Sequence, residues 1–191
     1  MTKGRLEAFS DGVLAIIITI MVLEMKVPHG GSLESLKPLL PVFLSYVLSF
    51  LNIAIYWNNH HHMFHIASKV NGSILWTNIH LLFWLSLFPF ATGWMGENNF
   101  ATWPVVIYGA ISFMAGLAYY WLAHCLAGHH GKDSALAKAF GNDRKGIISV
   151  VVYAIGIGLA FINPWLGVAC YFIVAGMWFI PDKRIEKQIR D

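Results

Sequence analysis

The sequence predicts an all-α polytopic membrane protein with six transmembrane helices, organised as one domain over residues 1–191. Three observations carry that expectation. Apolar residues make up 57% of the chain and charged residues only 12%, where soluble domains hold about 45–50% and about 25%; mean hydropathy is +0.59. The apolar residues fall into six runs, most of them near the roughly 20 residues that a spanning helix needs. The basic residues between those runs segregate to one side.

The first run covers about 6–27 and closes at Lys26-Val27-Pro28-His29-Gly30-Gly31. The second, about 39–64, is entered through Pro38 and Pro41. The third, about 74–94, carries Pro89 near its far end as a kink or terminus. The fourth, about 103–126, opens with Pro104 at an early helical position, where a missing N–H costs nothing. The fifth and sixth, about 147–162 and 165–180, are short and turn at Asn163-Pro164, which suits a tight hairpin. Small residues four apart in the fifth, Ala154/Gly158 and Gly156/Ala160, permit close helix packing.

Six spans place both termini on one side with the second-to-third and fourth-to-fifth connections. That side collects Lys3, Arg5, Lys69, Lys132, Lys138, Arg144, Lys145, Lys183, Arg184, Lys187 and Arg190, leaving only Lys26 and Lys37 of the 13 Lys and Arg opposite. Both termini are therefore expected in the cytoplasm, with 182–191 as a solvated helix end. Trp76, Trp94, Trp103, Trp121, Trp165 and Trp178 sit near run ends, as an interfacial belt requires.

The net charge of +3 is small, and no basic patch interleaves with aromatics, so nucleic acid is not an expected partner. Cys125 and Cys170 lie in apolar runs without metal or redox spacing. No signal peptide is expected, because Glu7 and Asp11 interrupt the pattern.

The most informative stretch is Arg5-Leu6-Glu7-Ala8-Phe9-Ser10-Asp11-Gly12, which runs without a break into Val13 and the aliphatics up to Leu23. Charge at the start of a spanning helix is costly unless partnered or wet, and marks a functional site. At 3.6 residues per turn Phe9, Val13, Ile16, Ile20 and Leu23 share one face, with Gly12 beside it. Ser10 and Asp11 turn away. Arg5 and Asp11 are nearly two turns apart, so their partners must come from other helices. Periodicity alone makes the aliphatic stripe lipid-facing or core.

The pattern Arg5-x-x-x-Phe9-Ser10-Asp11 resembles the signature of the potassium-channel family of the endolysosomal leak channel, transmembrane protein 175, and its bacterial relatives. The similarity continues through Ala15 to Pro28 and includes Tyr56-Trp57-Asn58-Asn59-His60-His61-His62. The resemblance implies a potassium-selective leak channel, not an enzyme: a homotetramer in the plasma membrane, multi-pass, whose four first helices line a central pore. It implies constriction and selectivity at Ile16, Ile20 and Leu23, where aliphatic rings gate by dewetting. No cofactor is implied; potassium is the permeant ion and the lipid bilayer the surroundings. Thr19 either reaches the lumen or bonds back to its own helix. Glu24 either concentrates cations or is an ordinary interfacial charge. Arg5, Phe9, Ser10 and Asp11 become a signature and inter-helix network, with Trp57, Asn58, His60, His61 and Asn78 or His80 as partners, since a buried carboxylate needs donors. Asp11→Ala is then expected to cost roughly 1–3 kcal/mol or more.

Two alternatives stand beside that reading. The nine histidines include His61 and His65 four apart, with His80 and His124 on other helices, as a haem- or metal-binding membrane oxidoreductase would use. No carboxylate or cysteine sits at ligand spacing, so a metal site is not expected. A proton-coupled transporter would use Asp11 as its coupling carboxylate. His129-His130-Gly131 is expected to be a cytoplasmic loop, responsive to pH near neutrality.

Overall fold

A computed structural model describes residues 2–131, 134, 136–137 and 143–179. Six of the basic residues used for sidedness (Lys132, Lys138, Lys183, Arg184, Lys187 and Arg190), Ile180 and the 182–191 tail lie outside the described residues. Among the described residues there is no β-strand. The helices are α1 (Lys3–Leu23), α2 (Leu40–Ile66), α3 (Gly72–Ser86), α4 (Phe88–Glu97), α5 (Thr102–His130), α6 (Arg144–Ala160) and α7 (Pro164–Phe179), with a 3-10 segment Leu33–Leu39 leading into α2. Pro38 inside the 3-10 segment and Pro41 in the first turn of α2 explain why the second run begins as a tighter coil and then opens to an α-helix.

Among the described residues four stretches are long and apolar enough to cross a membrane: Lys3–Leu23, Leu33–Ile66, Gly72–Glu97 and Thr102–His130. The third is the pair α3 and α4, broken at Leu87 one residue ahead of Phe88-Pro89. Proline forces that break by removing a donor and crowding the preceding turn. The last two helices have 17 and 16 residues, about 24–26 Å each, and fold as a hairpin across Asn163, whose side chain accepts from Trp165 N–H at 3.0 Å.

Local chemistry sets the helix ends. Asn71 caps α3 by accepting from Ile74 N–H at 2.9 Å, and Asp143 caps α6 by accepting from Gly146 N–H at 2.9 Å. After α4 the chain reverses through Asn99 and Phe100, with φ of 48° and 58°. A left-handed aromatic is strained, and burial of Phe100 against Trp165, ring centroids 4.7 Å apart, holds it there.

Of the two small-residue pairs in α6, Gly156/Ala160 packs inside the subunit while Ala154/Gly158 is exposed. A Cβ on Gly167 of α7 would lie 2.9 Å from the Gly156 carbonyl oxygen, so the hairpin closes to backbone contact there. The core is continuous from Leu6 of α1 to Ala175 of α7.

The two ends of the bundle are distinguishable. Lys3 reaches the His65 carbonyl at 3.5 Å, and His130 contacts Ser68 and Lys69, so the start of α1, the end of α2 and the end of α5 share one end. Lys26 pairs with Glu97 at 2.8 Å at the other.

Candidate functional site

The first helix divides into two faces. Leu6, Ser10, Leu14, Ile17 and Met21 are buried, recurring every three or four residues against α2, α3 and α4. On the far side Phe9, Ile16, Ile20 and Leu23 are 55%, 58%, 40% and 78% exposed. Val13 is half-buried and Gly12 exposed. This apolar face is left uncovered by the rest of the chain and is free to meet lipid or another helix.

Thr19 is exposed and its hydroxyl donates to the carbonyls of Ile16 at 2.9 Å and Ala15 at 3.1 Å, the back-bonded geometry.

Behind the bare face, three polar residues from three helices interlock. Asn78 Nδ2 donates to Ser10 Oγ at 3.0 Å, Asn78 Oδ1 lies 2.8 Å from His60 Nε2, and Ser10 Oγ donates to the Leu6 carbonyl at 2.9 Å. All three side chains are at most 3% exposed. The amide can serve both neighbours only if its oxygen faces the imidazole, which puts a hydrogen on His60 Nε2. Ser10 Oγ, both polar atoms of the Asn78 amide and His60 Nε2 then each have a partner.

Asp11 is placed differently. Its Oδ1 accepts from Trp57 Nε1 at 3.0 Å, and both residues are exposed. His61 stacks on Trp57 with centroids 5.8 Å apart and so holds the indole. The expectation that Asp11 is a buried carboxylate is corrected for the single subunit, where only one oxygen is engaged. Arg5 and Asn58 are exposed, and their side chains make no hydrogen bond among the described residues. His80 accepts from Trp84 Nε1 at 3.3 Å on its own helix, so Asn78, rather than His80, is the residue of α3 that joins Ser10.

The remaining histidines do not converge. His61 and His65 stack with centroids 6.2 Å apart, and His124 folds back onto Tyr120. Among the described residues no three His, Cys, Asp or Glu side chains gather as a metal site requires. His129 and His130 are not in a loop: they form the last turn of α5. His130 Nε2 accepts from Ser68 N–H at 3.0 Å and Lys69 N–H at 3.3 Å, while its Nδ1 faces the Leu126 carbonyl at 2.9 Å.

Sequence reasoning missed two features. At the far end of α1, Lys26 is raised above the usual lysine range by its bond to Glu97 and the charge of that carboxylate. Deeper in the bundle, Ser45, Ser49 and Asn52 are buried. Polar residues at i, i+4 and i+7 in an otherwise apolar helix were the available signal.

Residues 5–89, from the signature through α3, match the family described as endosomal/lysosomal potassium channel TMEM175. A potassium channel of Chryseobacterium sp. (strain P1-3) is 54% identical over 191 residues, covering 100% of both chains. This chain belongs to the TMEM175 family. A potassium channel of Chamaesiphon minutus (strain ATCC 27169 / PCC 6605) is 30% identical across 90% of this chain and 91% of its own. The crystal structure of a lysosomal potassium-selective channel TMEM175 homolog from Chamaesiphon minutus superposes with a TM-score of 0.79 at 31% identity, over 93% of this chain and 96% of that one. TMEM175 proteins are channels rather than enzymes, which removes the oxidoreductase reading.

Proposed function

We propose that this TMEM175 protein is a passive potassium-selective channel, a homotetramer in the plasma membrane with both termini cytoplasmic. Four copies of α1 turn their bare faces to a common axis. The observation that carries this reading is the division of α1: one face is sealed into the subunit by Leu6, Ser10, Leu14, Ile17 and Met21, and the aliphatic face is exposed. In a tetramer that face meets its own copies instead of lipid.

Rings of Ile16, Ile20 and Leu23 would then form a narrow, oxygen-free stretch. Such a constriction gates by dewetting and admits an ion only as it sheds water. Potassium gives up its hydration more readily than sodium, so the preference follows from dehydration. Thr19, between the Ile16 and Ile20 rings in sequence, offers lone pairs at the one polar position of that stretch. Glu24, exposed just past Leu23, lies where a carboxylate concentrates cations at the mouth. Ser10 with Asn78 and His60, and Asp11 with Trp57 and His61, fix the angle at which α1 leaves its subunit; Arg5 and Phe9 remain for contacts between subunits.

The test is bilayer recording of the purified protein with potassium on one side and sodium on the other. Unitary currents reversing toward the potassium equilibrium potential support the reading. Silence, or a reversal at zero, overturns it. Uptake coupled to protons and abolished by Asp11→Asn, without unitary steps, would instead favour a transporter.

A further inference from the structure

A column of buried polar side chains crosses the subunit directly behind the outer half of α1. Tyr153 of α6 donates to Asn52 Oδ1 at 3.2 Å, and Asn52 Nδ2 donates to the Tyr108 hydroxyl at 3.0 Å. The Tyr108 hydroxyl bonds Ser49 at 3.2 Å, and Ser49 bonds Thr92 of α4 at 2.6 Å. Thr92 ends the column, with its hydroxyl 3.8 Å from the sulfur of Met21 in α1. None of these residues is more than 3% exposed. The stability of the bundle does not require such a column, since apolar packing serves as well in a membrane and interhelical polar bonds there add little. What fixed-length bonds supply and apolar contacts lack is a defined distance.

Met21 is where that distance matters. Two residues along a helix is a rotation of about 200°, so Met21 sits almost diametrically behind Leu23, and one position from Ile20. Thr92 of α4 meets Met21 of α1, and five residues later Glu97 meets Lys26, three residues past the end of α1. The two helices thus run parallel with α4 set as a splint along the outer half of α1. The break at Leu87 frees α4 from α3 so that it can lie there.

We infer that Thr92 and Tyr108 are positioning residues for ion selectivity. The column sets how far Leu23 and Ile20 project from the subunit, and so how tightly an ion is stripped of water between them. The inference rests on α1 being the pore helix. Neither residue touches the ion; both act through Met21. Without the Thr92 hydroxyl the column ends at Ser49, the outer half of α1 is held only by apolar packing and the exposed Lys26–Glu97 pair beyond its end, and the aperture is less sharply fixed. A less fixed aperture discriminates less between two ions of similar size.

The experiment compares Thr92→Val, which keeps the shape and removes the hydroxyl, with Thr92→Ser, which keeps the hydroxyl. Both are purified, sized for assembly and recorded under the potassium/sodium gradient beside the unaltered protein. The expected result is a potassium-to-sodium permeability ratio lowered by roughly threefold in Thr92→Val, which at 1.36 kcal/mol per tenfold is about 0.6 kcal/mol, and restored in Thr92→Ser. A purely structural role would lower thermal stability and leave the ratio alone. Should Thr92→Val fail to assemble, Tyr108→Phe, which deletes one oxygen and keeps the ring packing, is expected to lower the ratio in the same direction. A ratio equal to that of the unaltered channel in whichever of these variants assembles overturns the inference. Unaltered protein that conducts without discriminating overturns the channel reading, and this inference with it.

Discussion

Trp57 donates its indole N–H to Asp11 at 3.0 Å, outside the buried core of the subunit. A charge-assisted bond in water contributes little, since solvent competes for both partners. If α1 packs against its copies, that same bond becomes desolvated and its removal costs more. Asp11→Ala and Trp57→Phe are therefore expected to shift the melting temperature of an isolated subunit only slightly. In the assembled protein the two changes should be coupled by about 1–2 kcal/mol. A double-mutant cycle on subunit dissociation measures this, and additive losses would show that the pair acts independently.

The contact between Ser10 and Asn78 predicts the opposite pattern. Both residues are buried within one subunit, and Asn78 serves Ser10 and His60 at once. Asn78→Ala leaves the His60 imidazole N–H unpaired, at roughly 1–3 kcal/mol, and also removes the bond into Ser10, which still donates to the Leu6 carbonyl. A loss of about 2–4 kcal/mol in subunit stability is expected, larger than that of Ser10→Ala, where Asn78 keeps its bond to His60. Equal losses for the two would mean that the amide does not bridge.

The contrast shows what a sequence of this kind discloses. Helix periodicity separated the Ser10 side of α1 from the Ile16 side, because the turn of a helix is local. Proline placed the break near Pro89 and the tight opening of α2, again through local sterics. Burial of Asp11 was not local: its exposure depends on whether neighbouring copies cover it. The Lys26–Glu97 pair joins residues 71 apart, and no spacing rule reaches that far. His129 and His130 read as loop because Gly131 follows them, with φ of 88°. Their helix persists to that glycine, and the acceptor role of His130 came from a linker some 60 residues earlier.

On the bare face, Ile16→Asn is expected to leave the subunit's own stability within about 0.5 kcal/mol, since Ile16 is 58% exposed there. If four copies of α1 line the pore as proposed, permeation should change far more, because an amide in each copy would wet the constriction. The check is a loss of potassium preference in bi-ionic recordings with an unaltered subunit melt. A large fall in the melt would place Ile16 in a packing role instead.

At the end of the bundle away from Lys3, the Lys26–Glu97 pair has a defined pH dependence. Glu97 raises the lysine above its usual range, so the folded form holds the proton more tightly than the unfolded one. Whatever the pair contributes is present below the ordinary lysine range and lost as pH rises through the raised value. Spin labels at Val27 and Asn98 should report one short distance from neutral pH to mildly alkaline conditions and a broadened one beyond. Glu97→Gln should broaden it at every pH.

The His130 contact makes the last prediction. The imidazole accepts two backbone N–H groups from the linker between α2 and α3, tying the end of α5 to the turn that aligns His60 with Asn78. His130→Ala removes the only side-chain acceptor these two amides have among the described residues. A loss of about 1 kcal/mol corresponds to roughly fivefold faster hydrogen exchange at Ser68 and Lys69 under local opening. Gln at the same position carries an acceptor oxygen on a side chain of similar reach, so His130→Gln should recover most of the protection. Exchange that stays slow in His130→Ala would show that the linker is held by its own turn, with α5 merely alongside.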